Sequence, residues 1–401
     1  MNYKIKYLIT YISLAIASPL IFSQSEIDST KKKDTSGWLA LPFASYSPET
    51  EWAFGVAGLY YFHTVENPLP DSRSSNIIAA IQYTTKKQFL VELDYDFYFS
   101  NEDYRFYGYA AYSKFPFSFF GIGNDTNEED EENYTPKYVN FINTFLKKIH
   151  SSSRGGIYAG VRLDLRHDNI IEKEPGRMLD TANISGSNCG TIAGLGITAN
   201  LDTRDNTFTS TSGEFVDVQL NFYSSQLIGE FGFNNFALDA RKYFGFDVLN
   251  SHHVFAAQFS ARYATGDVPF YLLPTFGGKF DMRGIFTGRF RDKNSYFLQA
   301  EYRFPVYWII GMVVFGGTAQ AAPEVSKFSF NGTKFAYGLG IRLNVIPSEG
   351  ISLRADFGFS NGEGQLYLGF GEAFKTNCTP FLHYRNSTIF FIDLNSPAFS
   401  S

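Results

Sequence analysis

The chain has 401 residues, 18% of them Phe, Tyr or Trp, and a formal net charge of −6. So mild a charge, with no basic stripe, excludes nucleic acid as a partner. Two cysteines, Cys189 and Cys378, are too few for a disulfide framework, and the six histidines lack ligands at metal-binding spacing, so no cofactor or metal is expected.

Residues 1–23 read as a secretory signal peptide: Lys4 and Lys6 precede an apolar run that ends near Phe22, with a cut before Gln24. An anchoring helix is the competing reading, but the run is short for a membrane span and contains Pro19. Residues 24–37 form a short periplasmic segment. No later segment is apolar enough for a membrane helix, so membrane residence would have to come from strands.

From Trp38 the pattern changes to alternation. Strands are predicted over residues 38–46, 52–64, 76–84, 88–99, 104–115, 138–149, 157–167, 191–202, 214–223, 231–244, 254–265, 295–304, 308–320, 335–345, 351–359 and 365–374, sixteen in all. In the fourteenth, Phe335, Tyr337, Leu339, Ile341, Leu343 and Val345 interleave with Ala336, Gly338, Gly340, Arg342 and Asn344. A period of two gives one apolar face and one small or polar face. The seventh places Tyr158, Arg162, Asp164 and Arg166 on one face, and the fourth does the same with Glu92, Asp94 and Asp96. A one-residue slip would put these charges in lipid, at about 2–4 kcal/mol for each Arg or Lys at mid-depth, so register is strongly specified. Ion pairs between neighbouring strands are the expected use of the inner charges.

So many alternating strands in so aromatic a chain predict an all-β fold: a 16-stranded antiparallel transmembrane β-barrel of the bacterial outer membrane, in contact with outer-membrane lipid and lipopolysaccharide. A soluble two-layer sandwich explains the alternation but not the number of outward aromatics. Connections at 101–103, 150–156 and 347–350 are short, whereas 117–137, 168–190 and 266–294 are long. Residues 65–75 and 85–87 fit that scheme least well. The acidic run 125–132 reads as a solvated loop; a divalent cation bridging lipopolysaccharide phosphates is the alternative.

The loop 266–294 holds Gly277-Gly278 and then Met282-Arg283-Gly284-Ile285. With Tyr46-Ser47-Pro48-Glu49-Thr50, Phe120-Gly121-Ile122-Gly123-Asn124, Asp202-Thr203-Arg204-Asp205-Asn206 and the closing Leu368-Gly369-Phe370-Gly371-Glu372-Ala373-Phe374, it resembles the barrels of BamA/TamA-type outer-membrane proteins, the bacterial surface antigen family, over residues 38–374. The resemblance implies that this sixth loop folds back into the lumen. It assigns Gly277, Gly278, Arg283, Gly284 and Glu301 to a lock between loop and wall, with Glu301 as the partner of Arg283. A buried guanidinium needs such a planar, charge-assisted acceptor. The thirteenth strand, where the family often carries an aspartate, reads Phe315-Gly316-Gly317, which leaves a second acidic partner unassigned.

The resemblance also makes Phe370 and Phe374 the assembly signal of the barrel, with 375–401 as a poorly ordered periplasmic extension. Residues 24–37 leave no room for the periplasmic POTRA domains of full-length members. The implied function is insertion or translocation of other proteins, together with a separate periplasmic or outer-membrane protein partner; a non-transporting structural or surface-binding barrel is the alternative. Gly358-Phe359-Ser360-Asn361-Gly362 matches the G-x-S-x-G elbow of hydrolases, which requires a strand, a turn and a helix. Here Asn361-Gly362 joins two strands, so no enzymatic activity is expected.

Overall fold

A computed structural model describes residues 36–65, 74–152, 155–206, 209–226, 228–249, 251–346 and 351–374. The signal peptide at 1–23, all but the last two residues of the 24–37 segment, and the extension 375–401 with Cys378 lie outside the described residues.

The alternating stretches form β1 (Ser36–Ser47), β2 (Glu51–Phe62), β3 (Ser75–Thr84), β4 (Phe89–Phe99), β5 (Tyr104–Lys114), β6 (Phe117–Phe119), β7 (Glu132–Ser152), β8 (Gly155–Lys173), β9 (Cys189–Asp202), β10 (Gly213–Tyr223), β11 (Phe233–Val248) and β12 (Ser251–Gly266). They continue as β13 (Thr275–Phe276), β14 (Phe290–Arg291), β15 (Asn294–Tyr307), β16 (Ile310–Ala322), β17 (Lys334–Ile346), β18 (Ile351–Ser360) and β19 (Glu363–Phe370). Each wall strand pairs antiparallel with its neighbours, and β1 meets β19 to close the sheet. β5 and β6 are one strand interrupted near Pro116, since both pair with β7; proline has no N–H to give the ladder. The wall is therefore a closed sixteen-strand antiparallel barrel, and β13 and β14 form a separate hairpin inside it.

Period two decides what faces lipid. On β17, Phe335, Tyr337, Leu339 and Ile341 are exposed on the outer face, while Ala336 and Arg342 are buried inside. On β8, Val161 points out and Arg162, Asp164 and Arg166 point in. The inner charges depart from expectation in one respect. Asp96 does pair with Arg105 across β4 and β5 at 2.6 Å, but Arg166–Asp168, Arg241–Asp239 and Arg204–Asp202 pair two residues apart along the chain. Alternate residues share a face, so an extended strand already brings i and i+2 together.

β7 and β8, with 21 and 19 residues, exceed the about 9–11 residues that cross a bilayer. Their far ends stand beyond the lipid at the mouth that carries the long loops. There Phe115, Phe119, Tyr134, Phe231 and Phe270 belong to an apolar cluster inside the wall. A second cluster, with Phe276, Met282, Ile285 and Phe297, lies along the inner face of β15 and β16. β1 begins two residues before the expected edge, and β19 stops at Phe370, four residues short of Phe374.

Candidate functional site

Residues 267–293 leave β12, descend inside the barrel as the β13–β14 hairpin, and curl at the tip. The curl is tight: Gly277 N–H donates to Asp281 O at 2.6 Å and Gly278 N–H to Ile285 O at 2.7 Å. Gly284 has φ 104, and a Cβ there would sit 2.8 Å from the Phe359 backbone nitrogen, so both conformation and clearance call for glycine. Arg283, beside it, is aimed at the wall.

The Arg283 side chain has no exposed surface. Its Nη2 pairs with Glu301 of β15, its Nη1 with Asp356 of β18 at 2.6 Å, and its guanidinium lies 3.6 Å from the ring centroid of Phe315 on β16. Glu301 also accepts from Arg303 at 2.9 Å, and Asp356 from Arg342 at 2.5 Å, with Arg354 3.8 Å away. A third carboxylate, Glu372, lies 3.1 Å from Arg342 and 3.6 Å from Arg303. Each of these buried charges except Arg354 thus meets more than one opposite charge, which offsets the desolvation that makes an isolated buried ion so costly. Higher on the loop, Arg262 of β12 holds Asp281 at 2.8 Å and donates to Thr275 O at 2.8 Å. Burial and the neighbouring Arg354 push the loop ammonium of Lys279 down, to about 8.

Of the residues singled out in the sequence, Arg283 and Glu301 are brought into direct contact, and Gly277, Gly278 and Gly284 shape the curl that delivers the arginine. The second acidic partner is Asp356, on the polar face of β18, rather than a residue of the strand containing Phe315. Its signal was visible as an aspartate between Arg354 and Gly358 on an inward face, but nothing local ties it to a loop 73 positions away.

Phe370 ends β19 opposite Leu353, and Gly371 N–H donates to Ser352 O at 2.8 Å. The chain then leaves the wall. Glu372 reaches the arginine cluster, and Phe374 packs in the barrel against Tyr243 of β11, with ring centroids 6.3 Å apart and Arg303 over its face at 5.6 Å. Sequence reasoning missed Glu372, Tyr367 and Glu49 as members of the site. Tyr367 Oη accepts from Gly284 N–H at 3.2 Å, and Glu49 Oε1, in the β1–β2 turn, accepts from Thr287 N–H at 3.1 Å and Thr287 Oγ1 at 2.9 Å.

The wall closes least firmly at its ends. Among the described residues β1 pairs with β19 at one position, Tyr46 with Leu368, whereas its ladder with β2 runs from Ser36–Phe62 to Ser47–Glu51.

The model of the Omp85 superfamily domain matches residues 73–374. No curated protein is similar to the chain. Among solved structures, BamA from Haemophilus ducreyi lacking POTRA domains 1–3 superposes with a TM-score of 0.57 at 12% identity, covering 85% of this chain and 71% of that one. CdiB from Acinetobacter baumannii gives 0.55 at 11% identity over 84% of this chain and 59% of that one. CdiB from Escherichia coli gives 0.53 at 8% identity over 83% of this chain and 62% of that one. This chain thus spans about three-fifths of either CdiB. The shared barrel and the family match over three-quarters of the sequence agree: the chain belongs to the Omp85 superfamily and is a barrel of the bacterial outer membrane.

Proposed function

We propose that this barrel inserts or translocates other proteins at the outer membrane, and that the β1–β19 seam is where it acts. The single observation that carries the proposal is the unmatched length of the two seam strands. β19 stops at Phe370 and the chain turns inward, so the lower part of β1, from Ser36 to Pro42, has no backbone partner on the seam side among the described residues. Unpaired N–H and C=O groups in hydrocarbon cost several kcal/mol each. A free strand edge is a template for an incoming strand, which gains the missing ladder by pairing there. Family membership and the fold shared with BamA and CdiB support the same reading.

In this proposal Gly277, Gly278, Arg283, Gly284 and Glu301 lock the loop to the wall, Phe370 and Phe374 serve as the barrel's own assembly signal, and a separate periplasmic or outer-membrane protein presents clients. Chemistry is assigned to none of these residues. Ser360 is placed as the end of a strand, its hydroxyl donating to Phe335 O at 2.8 Å, with the Asn361-Gly362 turn following directly.

The test is reconstitution in liposomes with an unfolded barrel client and candidate periplasmic proteins. Insertion should proceed faster than in empty liposomes, and a Tyr46→Cys/Leu368→Cys disulfide across the seam, made in a Cys189→Ser/Cys378→Ser background, should abolish the gain. Insertion that ignores the disulfide refutes the seam. A surface-binding role is favoured by one observation, the loop and ion cluster that occupy the lumen; client crosslinks to β1 would rule it out.

A further inference from the structure

We infer that the lumenal loop latches the seam shut from inside, gripping the first hairpin through Glu49 and the last strand through Tyr367, and that the seam is released on the Glu49 side. This rests on the seam proposed above as the working edge. With one backbone bridge among the described residues, Tyr46 to Leu368, the junction of β1 and β19 has little ladder of its own. The loop tip spans it. Gly284 N–H donates to Tyr367 Oη on β19 at 3.2 Å, and three residues later Thr287 donates twice to Glu49 Oε1 beside the end of β1.

The two grips differ in strength. On the β19 side the loop is also held by Arg283 to Asp356 on adjacent β18, and Gly358 lies so close under the loop that a Cβ there would be 2.7 Å from the Arg283 carbonyl carbon. The chain beyond β19 is anchored in turn, through Glu372 to Arg342 and Arg303 and through Phe374 to Tyr243. On the β1 side the grip is Glu49 with Thr287, supplemented by Lys86 5.9 Å from the Phe286 ring centroid. Glu49 is buried at 5% exposure, and its Oε2 has no hydrogen-bond partner among the described residues. A buried, half-satisfied carboxylate raises the free energy of the closed state, which makes this the contact that yields first. The turn would move as a body with its neighbour, because Gln88 Nε2 donates to Glu49 O at 3.0 Å and Lys86 Nζ to Pro48 O at 2.7 Å.

The test places spin labels at Phe54→Cys on β2 and Leu366→Cys on β19, both exposed on the outer face, in the full chain with Cys189→Ser and Cys378→Ser, in lipid nanodiscs. Pulsed electron–electron distances should show one short population in the parent. Glu49→Ala should raise a long-distance population by about tenfold, the weight of lost hydrogen bonds to a charged group. Glu49→Gln should stay near the parent, because its amide oxygen accepts from the same two donors. Thr287→Val, which leaves the first hairpin untouched, should give a smaller rise. Identical distributions in parent and Glu49→Ala would overturn the latch, as would opening by Glu49→Gln equal to that by Glu49→Ala. If Glu49→Ala does not fold, an unchanged Thr287→Val distribution overturns it instead. No client is present, so labels that separate in a barrel inert toward clients leave the latch standing and refute only the insertion proposal.

Discussion

Replacing Asp356 by Ala should destabilise the barrel more than replacing Arg283 by Ala, even though the loop motif singles out the arginine. Arg283, Arg303, Arg342 and Arg354 face Glu301, Asp356 and Glu372, a formal sum of +1. Arg283→Ala brings that sum to zero and strands no carboxylate, since Glu301 keeps Arg303 and Asp356 keeps Arg342 and Arg354. What disappears is two charge-assisted hydrogen bonds and the contact over Phe315, offset by the desolvation that the guanidinium no longer suffers. The net loss is about 1–3 kcal/mol. Asp356→Ala raises the sum to +2 and takes a carboxylate from three arginines at once, which places it in the range of about 3–5 kcal/mol for breaking a buried pair. The double variant should lose less than the two single losses added, because the side chains touch. The assay is the mobility of the folded band on unboiled gels along a urea or temperature series. An Arg283→Ala midpoint below that of Asp356→Ala, or additive losses in the double variant, would refute the charge accounting.

Gly358→Ala should lift the loop from the wall, because its Cβ would stand 2.7 Å from the Gly284 backbone nitrogen; faster protease cleavage within 277–289, with the barrel still folded, is the expected result. Phe270→Ala should open the apolar cluster at the long-loop mouth, where the Phe270 ring meets Tyr134 at 5.1 Å and Phe119 at 5.2 Å. A loss of about 3–5 kcal/mol in local packing should appear as more frequent conductance bursts in planar bilayers, and a current trace equal to the parent's would count against that cluster as the barrier. Glu372→Gln leaves Arg303 with Glu301 and Arg342 with Asp356, so its midpoint should fall by about 1–2 kcal/mol, less than for Asp356→Ala on the same gels.

Much of the wall was legible in the residues alone because a strand reports its two faces locally. Phe335, Tyr337, Leu339 and Ile341 alternate with small and polar partners, and that pattern is enough to say which side meets lipid. The same logic placed Arg162, Asp164 and Arg166 inside and set the number of wall strands. It also placed Glu301 on an inward face, while the choice of Arg283 as its partner came from the resemblance of the loop motif.

What the local pattern could not supply was anything that depends on how the cylinder closes. Asp356 meets Arg283 only because the loop descends to the depth of β18. Glu372 and Phe374 continue the composition of a strand yet turn into the lumen, where they meet buried arginines and Tyr243. The single bridge between β1 and β19 among the described residues follows from that turn. A period of two is written into neighbouring residues, whereas the meeting of a loop, a distant strand and a chain end across a lumen is decided by tertiary geometry.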